Sequence, residues 1–187
     1  MNRSLLLHTP VLAALLLAAG IASAQQKLNP AQSEINFVAK QMGVPLDGKF
    51  TKFDAQIAFD PKKPEAGKIA FNIDLSSVVI GDADTVKELR KPEWFNVPKF
   101  PTASFTSTAI KAAGPGKFEV TGTLSIKGAT RPVTIPVTLT PSGPASLAVG
   151  NFSIKRVDFK VGEGDWSDFS IVANDVLVRF RLSLSGV

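Results

Sequence analysis

The chain contains no cysteine and no tyrosine, and its one histidine is His8. Without thiols there are no disulfides, thiolate nucleophiles or cysteine zinc sites. His8 falls in an N-terminal leader, so the remainder has no imidazole base and no ordinary His, Cys or Tyr haem ligand. Most hydrolytic and redox chemistry is excluded on composition alone. Long apolar runs are also scarce. The one clear run, Val11 to Ala19, is too short to span a bilayer comfortably.

That run has the form of an export signal. Arg3 supplies a positive start, Val11 to Ala19 the apolar centre, and Ala22-Ser23-Ala24 a small-residue cleavage site. Residues 1–24 are therefore expected to be a signal peptide and residues 25–187 a single domain. A single Arg argues for general secretion over a twin-arginine route, and no Cys follows to carry a lipid anchor. The expected location is the periplasm. The formal charge is +5, with Lys and Arg scattered along the chain. This predicts a solvated surface, with transient contact to anionic membranes and no nucleic-acid partner.

What is abundant is period-two alternation, the mark of strands with one buried face. It is clearest from Lys117 to Thr140, where Phe118, Val120, Gly122, Leu124 and Ile126 share one face. Val133, Ile135, Val137 and Leu139 then repeat the pattern beyond the connector Gly128-Ala129-Thr130-Arg131. This is an antiparallel hairpin. Similar stretches run over Ser33–Met42, Phe50–Phe59, Ile69–Leu75, Ala103–Ala109, Leu147–Asp158 and Ile171–Leu184. Turn residues from Gly43 to Gly48 are expected to interrupt the first two, as a bend or a flexible rim. Between the third and fourth, Gly81 to Val97 loses the alternation. Asp84 as N-cap and Pro92 as stop predict one short helix there. Eight antiparallel strands suit an up-and-down barrel or a sandwich, and eight closed on themselves leave an interior that side chains fill or a small ligand occupies. Pro136 has no N–H and predicts a local break in the ladder. A sheet edge left open there would argue against closure.

Four segments in order carry a resemblance. QMGVPLDGKFTKFDAQIAFDP (41–61), WFNVPKFPTASFTST (94–108), GTLSIKGATRPVTIPV (122–137) and FSIKRVDFKVGEGDW (152–166) are similar to the YceI-like family of exported polyisoprenoid-binding proteins. The resemblance spans nearly all of the chain after the leader. It implies an all-β, lipocalin-like, eight-stranded antiparallel up-and-down barrel with one short helix between strands 3 and 4. It further implies non-enzymatic, periplasmic binding and transport of a long-chain isoprenoid or related amphiphile. Relatives commonly carry a basic, His-containing segment before the aromatic pair; here that stretch reads DADTVKELRKPEWF, so contacts made there are not carried over.

The candidate ligand-binding residues are the in-facing apolar ones: Phe37, Phe53, Ile57, Phe59, Ile69, Phe71, Ile73, Trp94, Phe95, Phe105, Phe118, Val120, Leu124, Ile126, Val133, Ile135, Val137, Phe152, Ile154, Val178 and Phe180. Thirteen Phe and no Tyr suit a dry lumen, since no phenol there needs a partner. They equally suit a packed core. Each buried methylene contributes roughly 0.8 kcal/mol, so ten supply about 8 kcal/mol, enough for about micromolar binding before ordering costs. No cofactor is expected beyond a bound lipid: a polyprenyl chain, a quinone or a fatty acid derivative. Trp94, Phe95 and Phe100 form either a mouth or a plug. Arg156 shares a face with Phe152 and Ile154 and is expected to pair with Asp158, because a buried cation needs a counter-charge. Asp158, Glu163, Asp165 and Asp168 lack the EF-hand order and read as a solvated loop. Two other readings remain open. One is a carboxylate-only hydrolase drawing on Asp74, Asp82, Asp84, Glu88 or the 158–168 cluster, with no catalytic residue singled out. The other is an interaction protein with a filled barrel. The pattern sets no oligomeric state.

Overall fold

The computed structural model describes residues 25–187, so the expected leader lies outside the described residues. Eleven strands form one sheet, yet they make eight staves because three staves are broken in the middle. The first stave is β1 (Gln25–Leu28) plus β2 (Glu34–Gln41), the second β3 (Val44–Phe50) plus β4 (Phe53–Ala58), and the third β5 (Lys68–Asp74) plus β6 (Val78–Ile80). Helix α1 (Ala83–Leu89) follows, then β7 (Thr102–Gly114), β8 (Lys117–Ile126), β9 (Ala129–Ser142), β10 (Ala145–Lys155) and β11 (Asp175–Ser185). Each stave is antiparallel to its chain neighbour, and β11 returns to pair with both β1 and β2. The result is a closed eight-stranded up-and-down barrel with one α-helix among the described residues, between the third and fourth staves.

Closure has a side-chain component. The buried Gln26 accepts a hydrogen bond from the Phe59 N–H at 2.6 Å through Oε1 and donates to the Gly186 carbonyl through Nε2 at 3.2 Å. It thereby holds β1 between the end of β4 and the chain terminus. The register pairs Gln26 with Ile57 and Leu28 with Leu184.

Several local expectations are corrected. Residues 44–50 are a strand, and the turn ahead of it is confined to Met42-Gly43, both at positive φ. Pro45 is tolerated because β3 has only β2 beside it at that point; β6 joins at Gly48. The β8–β9 connector is only Lys127-Gly128. Their φ values of 49° and 75° suit the tight hairpin turn whose twist matches that of its strands. Helix α1 is capped by Asp82, whose carboxylate accepts from the Asp84 and Thr85 N–H groups, and Asp84 is its second residue. Strand β10 stops at Lys155, and Arg156–Phe159 form a 3-10 turn.

The break at Pro136 falls on one side only. Leu139 donates its N–H toward β8, to the Gly116 carbonyl at 2.7 Å. Successive strand residues donate to opposite sides, so Thr138, Pro136, Thr134 and Pro132 face β10. The two prolines remove both donors they would have offered there. Accordingly β9 stays in register with β8 throughout, while its pairing with β10 ends at Val137–Gly150. The 3-10 turn at Arg156–Phe159 packs beside β9 where the two strands part. Closure survives because β9 keeps its whole ladder with β8 and parts from β10 over only about half its length.

Candidate functional site

The lumen is hollow. A front chamber of about 410 Å³ lies toward α1, and a back chamber of about 160 Å³ lies toward the opposite end. Both are bordered by Ile35, Ile73, Leu124, Phe152 and Val178, which form the waist between them. The back chamber is walled by aliphatic and phenyl groups alone, including Ile57, Phe59, Ile69, Phe71, Phe105, Phe118, Val120, Ile135, Val137 and Phe180. The front chamber takes Phe37, Trp94, Phe95, Ile126 and Ile154, together with polar residues. Exposed Lys40 and Asp84, with half-buried Gln41, Thr85 and Glu88, mark where it reaches solvent, between the β2–β3 hairpin and α1.

Nineteen of the candidates read from the sequence thus border one chamber or the other; Phe53 and Val133 do not. Phe53 stacks on Phe71 at 5.8 Å between ring centres, and Val133 packs against the core beside Leu124. Phe100 is also outside both chambers, lying over Gly128 of the hairpin turn. Sequence reasoning missed Leu46 and Phe50 among the lining residues. Their signal was masked by a phase change. In β3 the even-numbered Leu46, Gly48 and Phe50 are the less exposed, whereas after the Thr51-Lys52 break the odd-numbered Phe53, Ala55 and Ile57 take over.

Three strand glycines shape the lumen. A Cβ at Gly48 would overlap the Phe37 ring, one at Gly122 the Phe105 ring, and one at Gly150 the Phe180 ring. None of the three has a left-handed φ, so it is the missing side chain, not backbone freedom, that each position uses. Gly48 and Gly150 lie directly opposite their phenylalanines in the ladder. Each ring therefore lies flat across a glycine instead of filling the bore. Gly122 makes room for the Phe105 ring, opposite a bulge between Ser107 and Ala109.

Trp94 closes the front end. It is buried, 5.4 Å from Trp166 between ring centres, and packs with Phe159 and Val161. Two loops are stitched together there, because the Glu93 carbonyl accepts the Gly162 and Glu93-facing Glu163 N–H groups, both at 2.8 Å. The aromatic pair is thus an end wall that also lines the chamber.

Arg156 organises that wall, and the expected partner Asp158 is not its counter-charge. Among the described residues its guanidinium forms no ion pair. Its five N–H donors go to five backbone carbonyls: Ala173 (3.1 Å), Val161 (2.9 Å), Gly162 (2.9 Å), Trp166 (2.6 Å) and Val172 (2.7 Å). Only 2% of the residue is exposed. Burial pushes its pKa down from the usual value, but a guanidinium starts so high that it stays charged. The second buried cation, Lys127, donates to the Lys160 carbonyl and to Glu163, both at 2.7 Å, and pins the 156–168 loop over the barrel end. Among the described residues no three acidic groups converge as a metal site would require. Asp84 and Glu88, two carboxylates of the hydrolase reading, stand on one face of α1 and bind Lys87 at 2.9 Å and Lys91 at 2.5 Å.

Comparison with known proteins agrees with this architecture. A profile of the family described as YceI-like domain matches residues 26–184. The chain is similar to Protein YceI of Salmonella arizonae, 38% identical over 147 residues that cover 76% of this chain and 75% of that protein. A UPF0312 protein of Azotobacter vinelandii is 41% identical over 102 residues, which is 54% of this chain; the match spans about half, 53%, of that relative. Among solved structures, BcnA of Burkholderia cenocepacia superposes with a TM-score of 0.81 at 41% identity, covering 84% of this chain and 99% of that one. A polyisoprenoid binding domain from Saccharophagus degradans, implicated in plant cell wall breakdown, superposes with a TM-score of 0.69 at 18% identity, covering 86% and 97%, and shares the fold.

Proposed function

The chain belongs to the YceI-like domain family, and on that premise we propose that it is a periplasmic, non-enzymatic carrier of a long-chain isoprenoid or related amphiphilic lipid. The observation that carries this reading is the pair of adjacent, largely apolar chambers that share five lining residues inside a closed barrel. A back chamber walled only by hydrocarbon groups offers nothing to a polar substrate and much to a chain. The front chamber, of about 410 Å³, falls in the range of small-molecule sites. Removing about ten methylenes from water there drives binding by roughly 8 kcal/mol before ordering costs. The leader at residues 1–24 supports export.

The hydrolase alternative finds little support. Glycoside hydrolysis needs carboxyls on either side of a bond, about 5 to 9.5 Å apart. Asp84 and Glu88 sit together on one side, each neutralised by a lysine. The filled-barrel alternative conflicts with the hollow lumen.

Purification from the native host followed by organic extraction and mass spectrometry tests the proposal. A stoichiometric long-chain lipid is expected. Finding none, together with no uptake of added polyprenyl lipid by the stripped protein, would overturn it.

A further inference from the structure

The corner of the barrel beside the front chamber's mouth carries apolar side chains that the interior does not use. Among the described residues, Met42 (72% exposed), Val44 (60%) and Phe169 (55%) are the most exposed large hydrophobics. Met42 and Val44 stand at the β2–β3 hairpin tip, and Phe169 lies in the loop ahead of β11. Backbone bonds hold these two segments side by side. The Met42 N–H donates to the Ile171 carbonyl at 2.8 Å, the Ala173 N–H donates to the Lys40 carbonyl at 2.9 Å, and Gln41 bridges Val172. Their neighbours Gln41, Leu46, Trp166 and Val172 line the front chamber, whereas the three exposed side chains do not.

Folding does not account for Met42. It takes a left-handed φ of 47° in a turn where Asn or Gly is the ordinary choice, and its side chain is left in water. Phe169 is anchored at the corner by Arg156, whose guanidinium carbon lies 5.8 Å from the ring centre. Three side chains are too few for a stable protein partner, which engages roughly 20–30 residues a side. A bilayer interface needs no matched surface, since binding there scales with the apolar area buried plus any attraction to the head groups. The charges decide which head groups. Over residues 40–47 and 165–171 the charged side chains are Lys40 against Asp47, Asp165 and Asp168, all exposed. Hydrogen bonds from Ser170 hold the Asp168 carboxyl below its usual range, so it is ionised. Across the mouth, Asp84 and Glu88 are balanced by Lys87 and Lys91. Such a corner is repelled by an anionic surface and tolerates a zwitterionic one, whose ammonium groups stand outermost. We propose that Met42, Val44 and Phe169 form a membrane-docking corner that inserts into a zwitterionic lipid surface and brings the mouth of the front chamber against it. This goes beyond the carrier reading, because docking needs no carried lipid, and it differs from the contact with anionic membranes expected from net charge.

Flotation with vesicles of pure phosphatidylcholine, against vesicles of pure phosphatidylglycerol, tests this on lipid-stripped protein recovered after export. Binding to phosphatidylcholine is expected, indifferent to added salt and stronger than binding to phosphatidylglycerol. Met42→Asn is the discriminating variant, because asparagine suits the left-handed turn and keeps the fold. It is expected to weaken phosphatidylcholine binding about threefold to tenfold, the worth of partly burying one apolar side chain. Phe169→Ser is expected to weaken it by a similar factor. Val149→Ser, at an exposed apolar position opposite Arg181 on the barrel's flank, is expected to change nothing. No vesicle binding, or binding that prefers phosphatidylglycerol and falls with salt, would overturn the proposal. So would unaltered affinity in Met42→Asn, or an equal loss in Val149→Ser. Vesicle binding with the expected losses but no uptake of polyprenyl lipid would support the corner and count against the carrier reading instead.

Discussion

At the scale of single residues, the polar groups of the barrel interior are as informative as the apolar ones. Arg156 was legible as unusual, because a cation shares a strand face with Phe152 and Ile154. Its partner was not legible, because the five carbonyls that receive it belong to residues 161–173, whose folding over the barrel end no local pattern encodes. A guanidinium meets such an array and an ammonium does not, having three donors and no planar fork. Arg156→Lys is therefore expected to destabilise the chain by about 3 kcal/mol or more, and Arg156→Met at least as much, in urea unfolding. A loss under 1 kcal/mol for either would mean that the end wall holds without the guanidinium. Lys127 follows the same logic. It adopts a left-handed φ of 49° at a turn, which its buried Nζ contacts with Lys160 and Glu163 offset.

At the scale of elements, the alternation in Phe118–Ile126 and Val133–Leu139 identified the buried faces because a strand's side-chain period is two wherever its ladder is unbroken. Where a stave breaks, the phase is lost. The Thr51-Lys52 step moved Phe50 and Leu46 out of register with Phe53, and the turn-rich composition of 43–48 disguised β3 as a loop. The glycine–phenylalanine pairs are likewise element-level devices. Of the three, Gly48 is the cleanest to test, because a Cβ there meets only the Phe37 ring, whereas Gly122 and Gly150 also approach backbone carbonyls. Gly48→Ala is expected to drive the Phe37 ring into the front chamber and weaken binding of a bulky isoprenoid about tenfold, with little change in melting temperature. Adding Phe37→Leu is expected to restore most of that affinity. Isothermal titration of both variants checks this, and an unrescued double variant would show that the glycine acts through the backbone instead.

At the scale of the whole molecule, a barrel whose lumen is open forgoes packing that a filled core would have. Each unfilled methyl-sized space costs about 1 kcal/mol. On the carrier reading, a bound lipid would complete that core. Stripping it is expected to lower the melting temperature. Re-adding ligand at about 100 times its dissociation constant should return roughly 2.7 kcal/mol, read as a concentration-dependent shift in calorimetry. A melting temperature indifferent to lipid would mean that the lumen is not its site.

Sequence alone determined the class of the fold, the count of eight staves, the one short helix after the third stave and nineteen of the residues that border the lumen, fewer than half of them. These follow from side-chain period, turn composition and capping, all set by neighbours within a few positions along the chain. It also located the weak seam, since Pro136 lacks a donor wherever it stands. Tertiary structure alone decided whether the in-facing side chains meet or leave a void. The same period-two pattern serves a packed core and a hollow one. The outcome depends on strand tilt, on which rings lie flat over Gly48, Gly122 and Gly150, and on the end wall that Arg156 holds together from distant carbonyls.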